Sequence, residues 1–204
     1  MAESSKTDVR ISKALSWLLR HGAEKEGLIL GTGGWAKLED VLRKPTFKKV
    51  KVDKVKEIVA NCPKQRFALK EENGEFYIRA NQGHSIQVDD LDLEEITIAS
   101  DAESVVHGTY YRHWNSIKEQ GLCRMNRTHI HFAPGLPGEA GVISGMRSSC
   151  QIFIYVDLAK ALRDGFKFFK SANNVIMCSG NEAGYLPPEY FLKVVDKRTN
   201  KELV

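Results

Sequence analysis

Along residues 11–21 the apolar side chains Ile11, Ala14, Leu15, Leu18 and Leu19 recur three and four apart, the spacing of one helical face, and Gly22 behind them predicts the helix end. Arg20 and His21 then fall in the last turn. Residues 53–61 repeat the pattern, with Val55, Ile58 and Val59 inward, Asp53 as N-cap and Pro63 as stop. A shorter helix over 38–42 follows the turn-rich run Gly31-Thr32-Gly33-Gly34-Trp35, which matches no phosphate-cradling glycine pattern. The period then changes. Residues 66–70 and 75–80 read as two strands joined at Asn73-Gly74, a hairpin turn. Helices followed by a hairpin predict a winged-helix-like lobe over residues 1–88.

Beyond an acidic connector, residues 89–95, the pattern becomes mostly that of strands. Residues 105–109, 129–133, 151–156, 166–169, 175–178 and 190–195 are short apolar or alternating runs. Residues 111–120 predict a helix with Trp114 and Ile117 inward and Gly121 closing it, and 159–162 a shorter one. This second lobe, residues 89–204, reads as a compact, largely antiparallel or split sheet, so the chain as a whole is α+β.

Charge sharpens the division. The 204 residues carry a formal +4. Residues 1–84 hold 17 Lys and Arg against 11 Asp and Glu, a net +6, which leaves −2 for the remainder. The first lobe is thus the candidate for a polyanion such as nucleic acid, the plain alternative being a solvated lysine-rich surface. No run approaches the roughly 18 apolar residues of a membrane span, and residues 1–10 lack the apolar core of a secretory signal. The expected setting is cytoplasmic or nuclear, without a membrane. The four cysteines form no CxxC pair, which argues for free thiols and against a zinc ribbon.

Two groups of residues carry candidate chemistry. His107, His113, His129 and His131 lie within 25 residues, and 129 and 131 share one strand face. A metal would need further ligands aimed at one point, so hydrogen bonding within a pocket is the simpler reading and no metal is assigned. Arg20, His21, Arg66 and Arg147 each sit at an element end. Guanidinium groups there can fork onto phosphate oxygens, while Arg20 and His21 can instead merely complement a helix C-terminus.

Several runs together carry a resemblance. Leu15-Ser16-Trp17-Leu18-Leu19-Arg20-His21, Ile78-Arg79-Ala80-Asn81-Gln82-Gly83-His84-Ser85, His107-Gly108-Thr109, the stretch from Met125 to Ala133, and Ser171-Ala172-Asn173-Asn174-Val175-Ile176 resemble, in the same order, the NAD-dependent RNA 2′-phosphotransferases of tRNA splicing. The resemblance implies removal of an internal 2′-phosphate from a splice junction. The phosphate attacks C1″ of NAD and expels nicotinamide, giving a 2′-phospho-ADP-ribosyl RNA; the 2″-hydroxyl then attacks that phosphate and expels RNA with a free 2′-hydroxyl, leaving ADP-ribose 1″,2″-cyclic phosphate. It implies Arg20, His21, Arg66 and Arg147 as the catalytic group, and His107, Gly108, Thr109, Arg127, His131 and Phe132 as NAD contacts in an ADP-ribosyltransferase-like lobe. NAD is consumed rather than retained, the RNA is expected to be spliced tRNA, and the protein is expected to be a monomer. ADP-ribosylation of nucleic-acid terminal phosphates and a non-catalytic RNA-binding module are the other readings.

Overall fold

The period-3.6 pattern at the start of the chain builds α1, Lys6–Trp17, which buries Ile11 and Leu15. It then widens into a π-helical turn, Leu18–Gly22. A computed structural model describes residues 6–204, and these divide into one unit up to Asp92 and a second from Leu93. Gly22 does not end the helical path as expected. The chain winds on through a Leu28 N–H bond to the Ala23 carbonyl and stops at Gly27, where φ is +60°. Gly22 is demanded instead by packing: a β-carbon on it would stand 2.5 Å from Trp17 Cη2.

The rest of the first unit follows the pattern with small shifts. After β1 (Ala36–Lys37) and α2 (Leu38–Leu42) comes α3 (Val52–Ala60), burying Val55 and Ile58. Asp53 is not its N-cap; Lys51 takes that position without a side-chain bond, and Asp53 sits in the first turn, where a carboxylate suits the helix dipole. Strands β2 (Phe67–Glu72) and β3 (Glu75–Ala80) form the hairpin, with β1 on the outer side of β3. Asn73 and Gly74 both adopt positive φ, as that turn requires. One core unites these elements, including Leu15, Leu18, Leu19, Val41, Phe47 and Ile78. Residues 89–92 belong to this unit: Gly33 N–H donates to the Asp89 carbonyl at 2.8 Å, and Arg79, stacked over Trp35, pairs with Asp92 at 2.8 Å.

The second unit is a set of antiparallel sheets. The acidic run ends in a strand the sequence did not announce, β4 (Leu93–Ile96). Then come β5 (Val106–Thr109), α4 (Tyr111–Gln120), β6 (Leu122–Cys123), β7 (Ile130–Phe132), β8 (Ile152–Val156), α5 (Leu158–Arg163), β9 (Phe168–Ser171), β10 (Ile176–Cys178), β11 (Tyr185–Leu186) and β12 (Phe191–Asp196). The orders are β4-β9-β10-β7, β12-β8-β5 and the short pair β11-β6; a bridge between Val106 and Ala133 joins the end of β7 to β5. Both larger sheets feed one core, around Phe132, Ile152, Ile154, Phe168 and Ile176. The run Ser171 to Val175 is the tight turn between β9 and β10, closed by Ser171 Oγ bonds to Asn173 and Val175. Among the described residues no helix is long and apolar enough to cross a membrane.

Tyr111, at the start of α4, donates to Asp196 Oδ2 at 2.6 Å, while the backbone N–H groups of Arg198 and Thr199 donate to Oδ1. The tyrosine first, with those backbone donors, holds the carboxyl at about 2, below the usual 3.8. A depressed folded-state pKa stabilises above the unfolded value and is lost on acidification through the folded one. Tyr111→Phe is therefore expected to lower the thermal midpoint at pH 7, and the difference from the parent to narrow as pH falls from 3.8 to about 2. Melts followed across that window check it.

Candidate active site

In the first unit, the segment leaving β3 meets the side chains of Arg20 and His21 and the backbone of Arg66, three of the residues expected to be catalytic. Asn81 clamps the start of β2: its N–H donates to the Arg66 carbonyl at 2.9 Å and its Nδ2 to the Gln65 carbonyl at 2.7 Å. Gln65 holds a positive φ of 43°, so the chain turns sharply just before Arg66, whose Nη1 lies 3.5 Å from Cys62 Sγ. Gly83, with φ +91°, lays bare backbone against the Arg20 guanidinium; a β-carbon there would stand 3.4 Å from Arg20 Nη1. Arg20 Nε and Nη2 are shielded from solvent. Ser85 completes the set, its N–H donating to the Arg20 carbonyl at 3.0 Å and its hydroxyl bonded to His21 Nδ1 at 2.9 Å. The π turn presents Arg20 and His21 to this segment, a common use of such turns.

His84 departs from that surface. It is 1% exposed, beside Gly34, and so belongs to the interior of the unit.

In the second unit the His107 ring on β5 donates from Nδ1 to the His131 carbonyl at 2.9 Å, since a carbonyl can only accept. Burial keeps its pKa below the usual histidine value, outweighing that bond, and the nearby charge of Arg127 acts in the same direction. His107 is thus neutral near pH 7, with Nε2 as the acceptor nitrogen. Phe132 meets the same ring edge-on at 6.0 Å and is itself fully buried, so it supports His107 from the core. His131 is 8% exposed and His129 packs edge-on against Phe169. Gly108 faces its own chain: a β-carbon would meet Cys150 Sγ at 2.9 Å and Met146 Cβ at 3.1 Å. Thr109 is buried, and its carbonyl accepts from Gln151 N–H at 2.7 Å.

The loop before β8 carries Arg147. Its neighbours Ser149 and Tyr110 bond through their hydroxyls at 2.8 Å, and that bond, followed by one from Arg147, lowers the Tyr110 pKa. The Arg127 guanidinium also lies below its usual value, first through partial loss of hydration, although the residue as a whole is exposed, and then through the like charge of Arg147. Among the described residues no carboxylate forms an ion pair with either arginine. Cys150, two residues ahead of β8, has its thiol pushed up by burial, the wrong direction for a nucleophile. No group of three or more His, Cys, Asp or Glu among the described residues is placed to hold a metal.

Sequence reasoning gave no role to Tyr110 or Gly145, and it named Asn81, Gly83 and Ser85 only as part of a run that carries the resemblance, without their part in holding the site. Gly83 carried the one available signal, a glycine between polar residues at a strand exit.

Residues 6–180 match the family described as RNA 2'-phosphotransferase, Tpt1 / KptA family. The chain belongs to that family. It is accordingly an enzyme, a phosphotransferase. Curated relatives include tRNA 2'-phosphotransferase 1 of Danio rerio, 52% identical over 188 residues, which are 90% of this chain and 84% of the relative. The Homo sapiens protein of the same name is 46% identical over 96% of this chain and 78% of its own. The tRNA 2'-phosphotransferase of Saccharomyces cerevisiae is 40% identical over 98% of this chain and 89% of its own. Every candidate residue placed above lies inside the span matched to the RNA 2'-phosphotransferase family.

Proposed function

We propose that this chain removes the 2′-phosphate from spliced tRNA by transferring it to NAD, with Arg20, His21, Arg66 and Arg147 as the reacting set. The observation that carries this is the segment Asn81–Ser85, which packs on the Arg20 guanidinium, bonds the His21 ring and holds the backbone at Arg66, in a chain of this family. We further take the first unit as a winged-helix-like RNA lobe and the second as ADP-ribosyltransferase-like.

NAD supplies an electrophilic ribose carbon with nicotinamide as leaving group. The residues of the second unit suit such a dinucleotide. Arg127, crowded by the Arg147 charge, accepts a pyrophosphate; His107 Nε2 accepts from a ribose or amide donor; His131 and Thr109 add polar groups, and Phe132 and Gly108 keep His107 and β5 in place. In the first unit Arg20 and Arg66 hold the RNA phosphate, whose charge must be neutralised as bonds form and break at it. Arginine suits this because it stays protonated. His21 is the proton-handling member: Ser85 engages Nδ1, so exchange with substrate falls to Nε2. Glu139 accepts from the Leu136 N–H at 2.7 Å and so serves its own turn, which fits a reaction in which phosphate, itself anionic, is the nucleophile.

The test is incubation with an oligonucleotide bearing one internal 2′-phosphate, with and without NAD. RNA with a free 2′-hydroxyl, nicotinamide and ADP-ribose 1″,2″-cyclic phosphate are expected; full dephosphorylation without NAD overturns the mechanism. His84→Ala is expected to cost stability, about 1–3 kcal/mol as for a buried side chain, while reducing turnover less than His21→Ala. Paired melts and single-turnover rates decide, and the opposite order of rates would return His84 to the reacting set.

A further inference from the structure

The first helix has an outward face of which the reaction as proposed uses only His21. Arg10, Lys13, Trp17 and His21 are all exposed, and spacings of three, four and four place them in one line along α1 and the π turn. Ile11, Leu15, Leu18 and Leu19 occupy the opposite, buried side. The only acid of α1, Asp8, is turned to the unit's interior, where it pairs with Lys54 at 2.9 Å with its side chain 13% exposed. Among the described residues no carboxylate pairs with Arg10 or Lys13. The outward line is therefore cation, cation, aromatic ring, imidazole.

Trp17 is 45% exposed, unusual for so large an apolar ring, and it is seated rather than loose. In a π turn residues five apart stack, so Trp17 lies over Gly22, whose missing β-carbon lets the benzo edge rest against the backbone. That fixes the ring one turn from Arg20 and His21. We propose that this face is a track for single-stranded RNA, in which Trp17 stacks a base next to the 2′-phosphorylated nucleotide and Lys13 and Arg10 meet the following phosphates. Charge complementarity and the interleaved aromatic ring select this occupant: stacking on an aromatic face tolerates any base, and the cations follow the backbone. The proposal rests on the reading of Arg20 and His21 as phosphate-binding residues.

The experiment compares a hexanucleotide and a dinucleotide, each with one 2′-phosphate. Two measurements are made: kcat/KM with saturating NAD, and affinity by fluorescence anisotropy without NAD. The parent is expected to prefer the longer RNA. Trp17→Ala is expected to reduce that preference roughly 5- to 150-fold, the range of one base–aromatic stack, and Trp17→Phe to restore most of it. Arg10→Ala with Lys13→Ala should make the log–log salt dependence of hexanucleotide binding shallower by about 0.7 per lost contact. Equal losses on both lengths in Trp17→Ala would mean the ring only braces the turn and would overturn the track, as would an unchanged salt slope. A parent that binds both RNAs but turns over neither with NAD sinks the phosphotransfer reading instead, and the anisotropy series still decides the track.

Discussion

Arg147→Ala is expected to lose about 10²–10³ in kcat/KM, the loss typical of removing one preorganised donor to a transition state. The side chain is exposed, so its removal takes nothing from the core and the melting curve should hardly move. What disappears is half of a like-charged pair: Arg127 feels the Arg147 charge, and Tyr110 receives an Arg147 bond in addition to that of Ser149. Arg147→Lys should recover little, because a single ammonium cannot fork onto two phosphate oxygens. Single-turnover rates on a 2′-phosphorylated oligonucleotide measure both variants. A rate for Arg147→Ala within a few-fold of the parent would remove this arginine from the reacting set.

Gly145→Ala should damage fold and activity together. Gly145 has a φ of +109°, and a β-carbon there would stand 2.6 Å from the Phe132 carbonyl oxygen and 2.8 Å from Ala133 Cα. Both obstacles are backbone of β7 or its exit, which cannot swing aside as a flexible side chain would. The backbone conformation alone costs about 1–3 kcal/mol for any other residue, and the collision adds to it. The loop that is displaced is the one bearing Met146 and Arg147, so turnover should fall further than the stability loss explains. Denaturant midpoints and rates at a temperature where the variant is still folded separate the two effects. Parent-like values for both would show that the loop is not held against β7.

The hairpin at Asn73-Gly74 and the helices α3 and α4 were legible because local chemistry and burial agree there: Val55 and Ile58 face the core, and Gly121 takes the positive φ that closes α4. Less visible was β4. Its residues Leu93, Glu94 and Glu95 read as part of an acidic connector, yet Glu94 lies opposite Lys170, with a 3.0 Å ion pair, and Ile96 opposite Phe168. Only the partner strand reveals the purpose of those acids. Asp53 misled for a related reason, since a good capping residue one position inside the helix looks the same in one dimension. The arginines of the candidate site were found as residue types at element ends. Their grouping was not, because Asn81, Gly83 and Ser85 act through backbone bonds and bare backbone that no side-chain pattern reports.

The wide turn at Leu18–Gly22 gives this part of the chain an unusual sensitivity to length. Ordinary helices accept many substitutions, and here too most outward positions should tolerate exchange of one residue type for another. Removing a single residue between Trp17 and Gly22 is different: it would let the wide turn close to normal winding, keeping the course of the chain beyond it but re-aiming the residues inside the turn. His21 would leave Ser85 and Arg20 would leave Gly83, although every amino acid type needed for the reaction would still be present. In this stretch the number of residues is under tighter constraint than their identity.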